Sequence, residues 1–87
     1  GKCIAGDFAC ERAVKRGGAR LVLLDAAASG ATQERYFGMC ERAGLPCFTV
    51  ADLGRAIGKD GRMVAAVTDE RFAQMIRDAY ASDKNAN

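Results

Sequence analysis

Leu21, Val22, Leu23 and Leu24 form an unbroken apolar run of strand length between Arg20 and Asp25. A half-exposed strand alternates apolar and polar residues, so a run without alternation has to be covered on both faces. It predicts the central strand of a sheet with helices on either side. The flanking periodicities agree. The segment KCI at 2–4 reads as a short strand, and Gly6 and Asp7 as a turn and helix start. Ala9, Cys10, Ala13 and Val14 then recur at helical spacing, with Gly17 or Gly18 as the left-handed stop.

Further along, Ser29 is placed to cap a second helix that carries Tyr36, Phe37, Cys40 and Ala43 inward and ends at Gly44 before Pro46. PCFTV is the third strand. Asp52 starts a short helix with Leu53, Ala56 and Ile57 on one face, stopped by Gly58, and MVAAV is the fourth strand. Thr68 caps a last helix whose first turn holds Asp69 and Glu70, and Phe72, Met75, Ile76, Ala79 and Tyr80 repeat at amphipathic spacing. Strands alternating with helices predict an α/β protein, a three-layer α/β/α sandwich around a four-stranded sheet. A single domain is expected over residues 1–82, with a flexible polar tail at 83–87.

With 87 residues there is room for one core and not two. No apolar run approaches the roughly 20 residues that span a bilayer, and nothing resembles a signal peptide. No membrane partner is expected, and the reading places the chain in the cytoplasm. There thiols stay reduced, so Cys3, Cys10, Cys40 and Cys47 are read as small apolar side chains. None lies in a Cys-x-x-Cys pair and the chain has no His, which argues against zinc.

The missing His also removes the commonest general acid or base near neutral pH. Asp25 stands at the carboxyl end of the apolar strand, where α/β folds place functional groups, but no second carboxylate accompanies it, and it is read as the start of a polar turn. Cys10 shares the apolar face with Val14 and is read as core. GGAR precedes a strand instead of following one, and GKDG lacks the spacing and hydroxyl of a phosphate loop. No catalytic residue, metal, cofactor or small-molecule substrate is expected.

Net charge is only +2, yet the charges are segregated. Arg12, Lys15, Arg16 and Arg20 form one basic set. Arg55, Lys59 and Arg62 form a second, interrupted by Asp60 between two glycines, Gly58 and Gly61. Arg12 and Arg16 lie four residues apart on one helix face with Lys15 beside them, and Gly6 precedes a helix start whose N–H groups suit phosphate. Either set alone reads as a solvated surface. Together they describe a binding surface if the fold brings them into contact.

The segments KCIAGDFACERAVKRGGARLVLLDAAAS, CERAGLPCFTV and LGRAIGKDGRMVAAVTD, in that order, resemble the ribosomal L-seven-Ae, L-thirty-e, S-twelve-e family of RNA-binding proteins, and in particular its bacterial YlxQ-type branch. The resemblance runs from Lys2 to about Tyr80. It implies an α/β/α sandwich that binds kink-turn RNA through the start of the first helix and the loop before the last strand. Carried over by position, it matches Gly6 to the family's glycine at the helix entrance, Arg12 to a position that usually holds an RNA-contacting lysine, and Arg16 to a basic position one turn on, while the whole expected RNA-binding set is Gly6, Asp7, Phe8, Arg12, Lys15, Arg16, Gly58, Lys59, Asp60, Gly61 and Arg62. The family's Asn-Glu pair, which reads sheared G·A pairs, is replaced by Phe8 and Ala9, which cannot make those hydrogen bonds. Ser29 and Gln33 stand where the family has an acidic residue and an apolar residue that packs on a flipped base.

The expected function is therefore non-enzymatic binding of structured, kink-turn-like RNA, ribosomal RNA included, in ribosome or RNA maturation, with base reading altered. The rival is a protein-interaction module of the same fold with Phe8 as an exposed anchor; the reading of the helix itself buries Phe8.

Overall fold

The computed structural model describes residues 2–85. In chain order it forms β1 (Cys3–Ala5), α1 (Asp7–Arg16), β2 (Leu21–Asp25), α2 (Gly30–Ala43), β3 (Cys47–Val50), α3 (Leu53–Ile57), β4 (Val64–Val67) and α4 (Glu70–Asn85). The backbone of α4 thus continues into the expected tail at 83–87, of which 86–87 lie outside the described residues.

Side-chain alternation along the strands decides where the helices pack. All five residues of β2 are buried, as the unbroken run requires. Val22 and Leu24, with Val64 and Ala66 of β4, face Cys10, Ala13 and Val14 of α1 and Tyr36, Met39 and Cys40 of α2. Leu21 and Leu23, with Ala65 and Val67, face Leu53 of α3 and Ala73 of α4. In place of the one core expected, two apolar layers lie on opposite faces of one sheet, because successive residues of β2 and β4 point to opposite sides, and they make the α/β/α sandwich. Each fully buried Leu or Val contributes about 1.5–3 kcal/mol relative to its exposure. The sheet order is β1-β4-β2-β3, with β2 parallel to β3 and antiparallel to β4, and β1 antiparallel to β4.

Several helix details differ from expectation. In α2, Tyr36, Met39 and Cys40 face the sheet, while Phe37 is 41% exposed and Ala43 is exposed. Positions i, i+3 and i+4 define that face, and Phe37 is rotated about 100° beyond Tyr36. In α4 the core stripe follows Phe72, Ala73 and Ile76, which leaves Ala79 exposed and Met75 on the outer side, 66% exposed. The α4 cap is Asp69, whose carboxylate accepts from Phe72 N–H at 2.8 Å, and not Thr68, whose hydroxyl faces the Lys2 carbonyl at 3.4 Å. Ser29 does cap α2, accepting from Thr32 N–H at 3.1 Å.

Asp52 precedes α3 with a left-handed backbone, φ 57°, and makes no side-chain cap. The capping is done from another strand. Asp25, only 7% exposed, accepts from Leu53 N–H at 2.8 Å with one carboxylate oxygen and from Ala27 N–H at 2.7 Å with the other. Its own N–H donates to the Met63 carbonyl at 2.8 Å. Asp25 thus joins the end of β2 to the start of α3 and the entrance to β4. The expected polar turn is there, and the carboxylate also serves as a remote helix cap.

The loop leaving α3 folds back on it. Lys59 N–H donates to the Gly54 carbonyl at 2.8 Å, and a Cβ at Gly54 would lie 2.7 Å from the Lys59 carbonyl oxygen and 3.2 Å from the Gly61 nitrogen. Those neighbours are backbone and cannot rotate away.

Replacing Asp25 by Ala leaves the buried Leu53 N–H without its partner and is expected to cost about 1–3 kcal/mol in urea unfolding, with Asp25→Asn between the two. Gly54→Ala is expected to cost a similar ~1–3 kcal/mol through forced backbone movement. Its amide chemical-shift changes should concentrate in residues 58–62, and uniform changes or none would contradict the close packing.

Candidate nucleic-acid interface

The entrance to α1 is built around an absent side chain. Gly6 precedes the helix at φ 104° and ψ 144°, a conformation suited to glycine, and its N–H donates to the Val64 carbonyl at 3.1 Å. That bond holds the start of α1 against the entrance to β4. Arg62, from the loop before β4, occupies the space beside it, with Nη1 3.7 Å from where a Gly6 Cβ would be. Gly6, Asp7, Thr32, Gly61, Arg62 and Met63 line a cleft of about 270 Å³. The start of α1 and the loop before β4 therefore meet in space, beside the N-terminal turn of α2, while none of Arg12, Lys15, Arg16 and Arg20 lines that cleft.

The charges of α1 divide between two sides. Toward α2, Arg35 bonds Asp7 at 2.5 Å and Glu11 at 2.7 Å, and the Tyr36 hydroxyl donates to the Asp7 carboxylate at 2.6 Å. Lys15 is drawn to this side by Glu11 at 2.9 Å. Away from α2, Arg12 and Arg16 line a groove of about 340 Å³ with Ile4, Ala9 and Ala13. Neither has a carboxylate partner among the described residues, and neither do Lys59 or Arg62. Arg20 lies 3.7 Å from Glu70, and Arg55 lies 3.9 Å from Asp52. Among the described residues the seven cations thus sort into four without a carboxylate partner and three with one, a division that spacing alone does not reveal.

Phe8, expected to be buried, is 76% exposed. It sits on the outer face of the first turn, with the Arg12 guanidinium 5.6 Å from its ring centroid. Lys59, Asp60 and Gly61 are exposed on the loop, where Gly58 and Gly61 adopt φ 73° and 79°. At the start of α2, Ser29 also donates its hydroxyl to Thr32 at 3.0 Å, while Gln33 is tied to the Ala28 carbonyl at 2.9 Å. All four cysteines are free, and burial pushes the Cys10 thiol up to about 11, as suits a core residue. Among the described residues no group of three or more His, Cys, Asp or Glu side chains could hold a metal ion. No helix there is long and apolar enough to cross a membrane.

The hydrogen bond from Tyr36, supported by Arg35, holds the Asp7 carboxyl below its ordinary pKa, while burial and the same bond raise the Tyr36 hydroxyl. A carboxyl with a depressed folded-state pKa contributes stability above its unfolded value, about 3.9, and loses it as pH falls through the folded value. Thermal unfolding compared between pH 6 and pH 3 should therefore show a smaller acid loss for Asp7→Asn than for the parent chain, and an equal loss would contradict the network.

No family model matches the chain. The RNA-binding protein YlxQ of Bacillus subtilis (strain 168) is 36% identical over 78 residues, covering 86% of this chain and 78% of that protein. A solved protein of unknown function from Bacillus halodurans superposes with a TM-score of 0.83 at 30% identity, covering 87% of this chain and 80% of that one. The 15.5kD RNA-binding protein of Giardia lamblia shares the fold at a TM-score of 0.75 and 22% identity, over 98% of this chain and 75% of that one. Sequence relationship along most of both chains, with an α/β/α architecture shared by solved structures, leads to one conclusion: the chain belongs to the ribosomal L-seven-Ae, L-thirty-e, S-twelve-e family, in its bacterial YlxQ-type branch.

Proposed function

We propose that this chain is a non-enzymatic RNA-binding protein of the cytoplasm that docks on structured, kink-turn-like RNA, ribosomal RNA included, in ribosome or RNA maturation. The observation that carries the proposal is the meeting of Gly6 with Arg62, which puts the start of α1 and the 58–62 loop on one surface. Relatives named for RNA binding support the same reading.

Arg12 and Arg16 grip phosphates from one side and Lys59 and Arg62 from the other. Guanidinium forks suit this work because they engage phosphate oxygens bidentately. Gly6 and Gly61 allow the RNA backbone to come close, and Asp60 at the loop tip limits the positive field locally. Lys15 contributes less than its place in the sequence suggests, because Glu11 already holds it. Phe8 and Ala9 remove hydrogen-bonded reading of G·A pairs, so backbone shape and phosphate spacing dominate recognition.

A second reading, a protein-interaction module of the same fold, is favoured by the exposure of Phe8. It predicts that Phe8→Ala disturbs capture of a protein partner while removal of Arg12 and Arg16 does not.

The deciding titration compares a kink-turn RNA with a plain duplex of equal length at two salt concentrations. The RNA reading predicts tighter binding to the kink-turn. With about three to five phosphates neutralised, log affinity should fall against log salt with a slope of about 2.7–4.5. Arg12→Ala combined with Arg16→Ala should reduce that slope by about two. Equal affinity for both RNAs would remove kink-turn recognition, and no binding to either would remove the RNA reading.

A further inference from the structure

The helix start carries an aromatic ring where hydrogen-bonded base reading would need a polar side chain. Phe8 is 76% exposed, although an isolated phenyl group gains nothing from contact with water. Its position is defined by Arg12, one turn later, whose guanidinium lies 5.6 Å from the ring centroid. No carboxylate among the described residues competes for Arg12. The result is an exposed apolar ring with a cation over one face, next to a groove that also holds Arg16.

We propose that Phe8 and Arg12 form a stacking platform for an unpaired RNA base, so that the preferred ligand is RNA with an extruded nucleotide. The inference rests on the RNA-binding reading above and names the feature of the RNA that this site selects. A phenyl ring has no donor or acceptor, so it cannot read the edges of a paired base. It can accept the face of any base, because every base has a π-face. Within a duplex those faces are already stacked, and only a bulged or looped-out nucleotide offers one. Arg12 matches the chemistry of that nucleotide twice, through the ring it overlies and through the phosphate that accompanies the base. Charge complementarity favours this occupant over an apolar protein segment, which would have to desolvate an unpaired guanidinium. The exchange of a hydrogen-bonding pair for Phe8 and Ala9 then changes the mode of base recognition instead of abolishing it.

The test uses three hairpin RNAs with one stem sequence: one with a single bulged adenine, one with an abasic residue at the bulge, and one fully paired. The wild-type chain is expected to prefer the bulged adenine. Phe8→Ala and the abasic change should each weaken binding about ten-fold, the scale of one base–aromatic stack. Combined, they should cost no more than either alone, because each removes one half of the same contact. Phe8→Tyr should keep the preference. Phe8→Ala without loss on the bulged RNA, or two losses that multiply, would overturn the platform. RNA binding itself would survive that result if Arg16→Ala with Arg62→Ala weakened all three complexes. Binding to none of the three RNAs would overturn the RNA reading and the platform with it. A wild-type dimer in sedimentation that Phe8→Ala converts to monomer, with RNA affinity unchanged, would assign the ring to a protein contact and overturn the platform.

Discussion

The buried carboxylate of Asp25 sets the geometry on which the candidate binding surface depends. Its two oxygens accept from Leu53 and Ala27, while its N–H reaches the Met63 carbonyl. A buried carboxylate is tolerable only when hydrogen-bonded, and here each oxygen is satisfied by a backbone N–H. Forming them positions α3 over the end of β2 and fixes where the chain enters β4. The 58–62 loop runs between those two points and packs its backbone on Gly54. Arg62 is delivered beside Gly6 as a result, so a group buried in the sheet determines where exposed groups meet.

A second division of labour concerns α1, in which Asp7 and Glu11 precede Arg12, Lys15 and Arg16. Arg35 and Tyr36 of α2 engage Asp7 and Glu11, and Glu11 in turn retains Lys15. These contacts neutralise the side of α1 toward α2 and leave Arg12 and Arg16 unpaired on the other. The pairs are largely solvent-exposed, so their worth to stability is small. Their effect on the field is larger, since the helix then carries its free positive charge along one groove. A modest net charge of +2 is compatible with polyanion binding on those terms.

Much of this was legible beforehand, and the exceptions share a cause. The RLVLL run, the glycine stops at Gly17, Gly44 and Gly58 and the Ser29 cap are local signals, read by backbone geometry within a few residues. Phe37 and Met75 were assigned inward because helical spacing admits a broad apolar stripe, whereas the sheet accepts a narrower one centred on neighbouring positions. Phe8 is expected to be buried and is exposed. The cap of α3 was sought in the adjacent Asp52 and lies in Asp25, 28 residues earlier. The family resemblance identified the α1 and loop regions as one surface, while the separation of Lys15 from Arg12 and Arg16 needed the position of Glu11 and Arg35.

By itself, the sequence determined the number and order of the elements, the two-sided burial of β2 and the regions proposed for recognition. Those properties depend on periodicity, propensity and composition, which act over one or two turns of helix or a few residues of strand. Tertiary structure alone decided which cations remain unpaired, that Gly6 and Arg62 adjoin, and that the Phe8 ring is outside with Arg12 above it. Each of these depends on where a second element places its side chains or leaves solvent. Residues distant along the chain meet only after the sheet has closed around β2.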